Sequence, residues 1–535
     1  MKKDLRGRYG ELGPPSPLGQ GDRTPASILR ESSEMHSLAQ ATPFRSSGST
    51  DARRFPLLWP AGAVLLVTLS AGSSQSITAD QFVCAGALLA ILIQAYISWS
   101  RTRDTRVPVW PLVCAAHFVF YGVAIFGASR TSSSKFDHGS DLSDSILTMA
   151  MLVGIIGLLS MGAGRMAAMR LAGRKTFRLP LLESSSPTPA RLQVLLIIGT
   201  VANLFGVPFY GSVLWNISVI AFGALPLVAF LWLVLVRRFR RLSQLDFLLG
   251  IAFLATRVLS GAKFNASLAT VVVPLLLIGV ADVSLKRKLP WPMITAVACL
   301  ILFLQPGKAT IRNEMSHGQV GVGMTDAIVR WVDLSISGWA DVFAGRAPLD
   351  EQLSATSTRS SLLTMTGVIL EQTPESVPYQ LGAYYPLLIK NLIPRVFWPG
   401  KPSVNLANQF FQVEYGLTEK QNLNTVSIAC GFEAEGYMNF GWAGIVPIGL
   451  LVGFALGIYE LAFFSAGSSM TAIAVGLAML PGFLTIESQL VQYLGGILQL
   501  AFAAAIVFHQ AKDKRSPGVP GKAHTERFAG AFANH

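Results

Sequence analysis

Charge is scarce in this chain. Of its 535 residues only 14% are Asp, Glu, Lys or Arg, while 51% are hydrophobic. A soluble domain usually carries about 25% charged residues. A chain this apolar cannot cover itself with a solvated surface, which excludes an ordinary soluble enzyme. It is equally too apolar for an extended disordered protein. Cysteine is scarce as well: Cys84, Cys114, Cys299 and Cys430. The first three lie in apolar stretches, where a thiol behaves as a small hydrophobe. No pair has metal-ligand spacing and none suggests a disulfide framework. A phosphate-cradling Gly-rich loop, a zincin motif and a nucleophile elbow are all lacking, which excludes an ATP-driven pump working from its own sequence. There is no early apolar core of the signal-peptide kind. Residues 1–54, rich in Ser, Pro, Gly and Arg, read as a disordered cytoplasmic tail, and 510–535 read likewise.

What the chain does have is long apolar runs. About 17–25 apolar residues are needed to span roughly 30 Å of hydrocarbon as a helix. Such runs occur at 55–71, 81–99, 108–128, 145–163, 192–208, 212–236, 245–261, 264–282, 290–305, 441–463, 470–486 and 490–509. The expected fold is therefore all-α: a polytopic integral membrane protein of about twelve transmembrane helices, nine in 55–305 and three in 441–509. Gly449, Gly453 and Gly457 recur at four-residue spacing, the pattern of close helix packing.

The net charge of +13 is then read by location. Nucleic-acid binding is the wrong default, because Lys and Arg of membrane proteins gather in cytoplasmic loops. With the N-terminal tail inside, every basic cluster falls inside: Arg101, Arg103 and Arg106; the set from Arg165 to Arg191; Arg237-Arg238-Phe239-Arg240-Arg241; Lys286-Arg287-Lys288; and Lys512, Lys514 and Arg515. Both termini are thus expected in the cytoplasm, and 306–440 becomes one large extracytoplasmic loop. Long loops of this kind tend to carry function.

Three constellations stand out. Arg257 lies near the outer end of its span, either as a functional charge or as a side chain snorkelling to headgroups. The string Leu392-Ile393-Pro394-Arg395-Val396-Phe397-Trp398-Pro399-Gly400-Lys401-Pro402 makes a rigid, interfacial turn. It holds Arg395 and Lys401 either as a clamp on a lipid-linked phosphate or as an anchor for anionic headgroups. Glu435, in Gly431-Phe432-Glu433-Ala434-Glu435, sits at the membrane edge. It is either a general base with a raised pKa or a cap on a helix N-terminus. His117 and His317 are lone histidines without ligand spacing.

Taken in order, Arg359, Pro374-x-x-x-Pro378-Tyr379-x-x-Gly382, the Ile393-Pro394-Arg395…Trp398-Pro399…Lys401-Pro402 string and Glu435-x-Tyr437-x-Asn439-Phe440-Gly441 resemble the O-antigen polymerase (Wzy-type) family, the oligosaccharide repeat unit polymerases. The likeness covers the C-terminal half, from about Arg257. Position 400 departs from the family, being Gly where an acidic residue or Asn is common. The resemblance implies a bacterial inner-membrane enzyme that joins oligosaccharide repeat units carried on undecaprenyl diphosphate into O-antigen, capsule or exopolysaccharide. It implies no cofactor, neither metal nor nucleotide sugar. Its partners would be the lipid-linked oligosaccharide, membrane lipid, a chain-length co-polymerase and a flippase, with no nucleic acid.

A departing diphosphate needs preorganised cations. With no metal cluster, arginines are the expected source. Arg359 and Arg395 are the catalytic candidates, and Arg257, Arg312 and Lys401 the diphosphate-binding ones. Glu435 is the first choice of base and His317 the second, and attack from the opposite face predicts inversion. A ligase-type transferase moving the glycan to another acceptor, a glycan translocase and an export subunit remain as alternatives.

Overall fold

The computed structural model describes residues 58–71, 77–102, 105–126, 142–172, 187–208, 214–237, 242–265, 268–286, 291–316, 324–347, 362–393, 397–403, 405–423, 428–465 and 468–508. Regular structure among them is helical, apart from one isolated bridge between Thr105 and Ser465. The first nine helices are α1 (Leu58–Ala71), α2 (Ala79–Thr102), α3 (Val109–His117), α4 (Asp144–Ala172), α5 (Pro189–Phe205), α6 (Leu225–Val236), α7 (Gln244–Asn265), α8 (Leu268–Lys286) and α9 (Trp291–Ser316). A π-helical turn, Phe118–Val123, prolongs α3, and another, Val219–Ala224, leads into α6. Then come α10 (Met324–Phe343), α11 (Leu362–Gln372), α12 (Pro386–Leu392), α13 (Leu406–Glu414), α14 (Gly431–Phe440), α15 (Trp442–Phe464), α16 (Met470–Leu484) and α17 (Leu490–Phe508).

A helix stands at each of the twelve apolar runs. Six are long and apolar enough to cross a membrane: Ala79–Arg101, Val109–Phe126, Asp144–Ala172, Val219–Val236, Gln244–Gly261 and Trp442–Phe464. The protein is therefore an all-α membrane protein. Helix α16 has 15 residues and rises only about 22 Å.

The centre of the bundle is the parallel pair α4 and α15. Its glycines let backbone touch backbone. A Cβ on Gly453 would lie 2.0 Å from Met161 O, and one on Gly164 would lie 2.1 Å from Leu450 O. At one end Glu460 Oε2 accepts from Arg165 Nε at 2.8 Å, and Glu460 Oε1 accepts from the Trp110 N–H at 3.0 Å. The Arg165 guanidinium also lies 5.8 Å from the Trp110 ring centre. Removing one member of a buried, hydrogen-bonded ion pair typically costs about 3–5 kcal/mol. Glu460→Ala is expected to lower the melting temperature in detergent steeply, and Glu460→Gln, which still accepts from Trp110, less so.

The described part of 306–440 contains several helices. Helix α9 runs on past 305 to Ser316, and α10 returns antiparallel beside it. The indoles of Trp331 and Trp339 donate to Leu304 O (2.9 Å) and Phe303 O (3.2 Å), next to Pro306, where the helical ladder is interrupted. Helix α11 packs on α4, and α14 packs on α4, α11, α15 and α17. Three helices of the segment are thus folded into the bundle. Their apolar faces require it: Leu362, Leu363 and Ile369 are buried on α11, and every residue from Gly431 to Asn439 is buried on α14.

Candidate functional site

Helix α14 is a half-helix that points into the bundle and does not span it. It begins at Gly431, whose φ of 77° few other residues adopt. The Gly431 N–H donates to Glu487 O at 2.7 Å, on the connection from α16 to α17. It ends at Gly441, φ 62°, where the chain reverses into α15. The two helices approach so closely that a Cβ on Gly444 would lie 2.1 Å from Gly436 O. Asn439 fastens the turn: its Nδ2 donates to Glu435 O at 2.7 Å, and its Oδ1 accepts from the Gly382 N–H at 2.8 Å. Glu433 lies beside Gly157 of α4, which in turn touches Gly449. Gly449 is seven residues into α15, so this level is roughly 10 Å below the start of that helix.

The two carboxylates of α14 face different neighbours. Glu433 turns toward α3 and α4. Its Oε1 lies 2.7 Å from His117 Nε2, and both side chains are fully buried. His117 Nδ1 lies 2.9 Å from Val113 O. A carbonyl only accepts, so Nδ1 donates to it and Nε2 faces the Glu433 carboxyl. Tyr121 stacks on His117 and reaches Thr366 of α11. Glu433 Oε2 has no hydrogen-bond partner.

Glu435 turns toward α17. Its Oε2 accepts from the Leu490 N–H at 2.7 Å, while Oε1 has no partner. Burial pushes its carboxyl up to about 7, the Leu490 hydrogen bond working in the opposite direction. A buried acid with one oxygen held and the other unpaired, titrating near neutrality, has the properties of a general base. Among the described residues no cation pairs with it.

Of the other candidates, the two whose side chains are described, Lys401 and Arg257, are engaged away from Glu435. Lys401 is 5% exposed. Its Nζ donates to Asn391 O (2.9 Å), Asn391 Oδ1 (3.0 Å) and Ile393 O (2.9 Å), the end of α12. No N–H direction is left for a phosphate, so Lys401 holds the turn and is not a diphosphate ligand in this arrangement. Lys401→Met is expected to cut activity without lowering the salt dependence of lipid binding. Lys401→Arg is expected to do the same, because a planar guanidinium cannot reproduce three converging bonds. Arg257 is half-buried on α7 and donates to Asn203 Oδ1 of α5 at 3.4 Å. Helix α7 packs on α5, α6, α8 and α10. Arg312 is placed on α9. Arg359, Arg395 and His317 lie outside the described residues.

The sequence reading missed Glu433 and treated His117 as a lone histidine. They are 316 positions apart, so no local spacing signals the pair. The signal that was present is the π-helical turn directly after His117, a deformation frequent at functional sites, but it is visible only in the fold. In comparisons with known proteins, no family model, no curated protein and no solved structure matches this chain.

Proposed function

We propose that this protein is a membrane-embedded glycosyltransferase that polymerises undecaprenyl-diphosphate-linked oligosaccharide repeat units at the outer face of the bacterial inner membrane. The observation that carries the reading is Glu435: buried, held by one N–H, one oxygen unpaired and its carboxyl raised to about 7. In this reading the positive-inside rule assigns the end of α4 and α15 that holds Arg165 and Glu460 to the cytoplasm and the α14 end to the outer face. Glu435 takes the proton of an acceptor hydroxyl as that oxygen forms a bond to the anomeric carbon of the donor chain. The bond from that carbon to the diphosphate oxygen breaks on the opposite face, giving inversion. Undecaprenyl diphosphate leaves, its charge met by Arg359 and Arg395.

The test is reconstitution. Full-length protein in liposomes receives its host's lipid-linked repeat unit without nucleotide or added metal, and the products are run on a gel. A ladder lost in Glu435→Gln supports the reading, a single transfer to another acceptor indicates the ligase-type alternative, and no product from folded wild type overturns it. A second reading is favoured by the His117–Glu433 pair, since a buried, hydrogen-bonded histidine and carboxyl between helices suit proton-coupled translocation of the lipid-linked unit. It predicts movement of that unit across the bilayer under a pH gradient, with no ladder.

A further inference from the structure

Helix α13 carries polar groups that nothing in the fold satisfies. Its inward face holds Asn408, Phe411, Gln412 and Tyr415. The two aromatic residues belong to the apolar cluster that contains Cys430, Ala434 and Tyr437. Asn408 and Gln412 are 5% and 2% exposed, and Thr418 in the next turn is 4% exposed. Asn408 Oδ1, Gln412 Oε1 and Thr418 Oγ1 nevertheless lack hydrogen-bond partners, as does Gln489 Oε1. Native interiors rarely leave such groups unpaired, and four of them beside one helix are a concentration that apolar packing alone does not explain.

Of these groups, Gln489 lies beside the residue that holds Glu435. The N-terminal end of α13 is tied to α17 by Gln492 Nε2 donating to Asn405 Oδ1 at 2.8 Å. Its other end is tied to the end of α11 by the hydroxyls of Tyr415 and Thr373 at 2.5 Å. Gln489 immediately precedes Leu490, whose N–H holds Glu435. Helix α13 is therefore joined at one end to α17 and at the other to α11, two helices that pack on α14, where Glu435 Oε1 is also unpaired.

The unpaired atoms define their ligand. Three are amide oxygens, because Gln412 Nε2 already donates to Asn408 O and Gln489 Nε2 to Cys430 Sγ. The fourth is a hydroxyl. Together they call for an uncharged molecule with several O–H donors set around a ring or short chain. The rings of Tyr384 and Phe410, 5.4 Å apart on the same helix's flank, add an apolar face of the kind that covers the C–H side of a sugar.

We propose that Asn408, Gln412, Thr418 and Gln489 bind the hydroxyls of an acceptor sugar and that α13 shifts to admit it. The choice of a sugar rests on the polymerase reading above. In the closed arrangement these acceptors are held ready but unsatisfied. A site built to hydrogen-bond hydroxyls discriminates strongly against ligands that lack them, so these positions select the acceptor.

The experiment uses full-length protein in detergent and the lipid-free repeat-unit oligosaccharide released from the host's surface polysaccharide. Binding is measured by calorimetry for wild type and the shape-preserving variants Asn408→Leu, Gln412→Met and Thr418→Val. Each variant is expected to bind about 10-fold more weakly, and each unliganded variant to melt at a higher temperature, because an unpaired buried acceptor is gone. Unchanged affinity in all three variants, or no binding by wild type, would overturn the proposal. Binding that depends on α13 in a protein that makes no ladder would sink the polymerase reading and leave this site standing.

Discussion

Glu435→Gln is expected to slow chain extension by roughly 10²–10⁴-fold, the range that a general base contributes, while the protein remains folded. The argument is strengthened by its pH behaviour, because activity and stability should move in opposite directions. As a base, Glu435 must be ionised, so the rate should rise about tenfold per pH unit up to about 7 and then level off. Its carboxyl is raised in the folded protein above the ordinary carboxylate value. The neutral form therefore stabilises the fold. That contribution is complete below about 4.3, the unfolded value. It is lost progressively as pH climbs to about 7 and is absent above. Glu435→Gln should flatten both curves, leaving melting less dependent on pH across this window and above it higher than wild type. Rate profiles and thermal melts of the same preparations check this. A rate limb that survives in Glu435→Gln would assign the base elsewhere.

Gly453→Leu is expected to be the most damaging single change in the membrane region. The new Cβ would meet Met161 O at 2.0 Å and the Met161 carbonyl carbon and Cα at 2.6 Å. All three are backbone atoms of α4, so no rotamer change relieves the overlap and the two helices must part. Ordinary overpacking costs about 1–3 kcal/mol. Here the contact is between backbones along the central pair, and the loss should exceed that, with either no folded protein recovered or a melting temperature lower by ~10 °C. Gly164→Leu should behave alike. Gly223→Leu is the control, since a Cβ there has nothing within 4 Å. A Gly453→Leu protein that melts like wild type would mean that α4 and α15 are not in backbone contact.

The two expectations differ in how far the sequence foretold them. The close packing of α15 was legible in Gly449, Gly453 and Gly457, because small residues one turn apart have a single common use between apolar helices. The identity of the partner, α4, was not, since Gly157 and Gly164 are unremarkable in a run of 29 helical residues. Glu435 was visible as a carboxylate at the start of an apolar run. Its neighbour Glu433 was passed over, because only the fold brings His117 to it.

Lys401 shows the converse. Its proline-framed string suggested a cation held outward, yet the turn closes on itself and the ammonium caps α12. In a rigid turn the nearest unpaired carbonyls outcompete any ligand for the donor.

Composition and the length of the apolar runs by themselves determined that this chain is a helical membrane protein, because so little charge leaves no other way to cover so much apolar surface. The same reading could not foresee that α10, α11 and α14 fold back into the bundle. Helices of 10 or 11 residues such as α14 and α11 fall below the length at which burial in lipid can be read from sequence. The place of α14 is set by neighbours: a glycine contact with α15, the Glu487 carbonyl of the α16–α17 connection and the Leu490 N–H of α17. That tertiary placement decided what Glu435 is, a buried and half-satisfied acid, where the sequence offered only a carboxylate near a membrane edge.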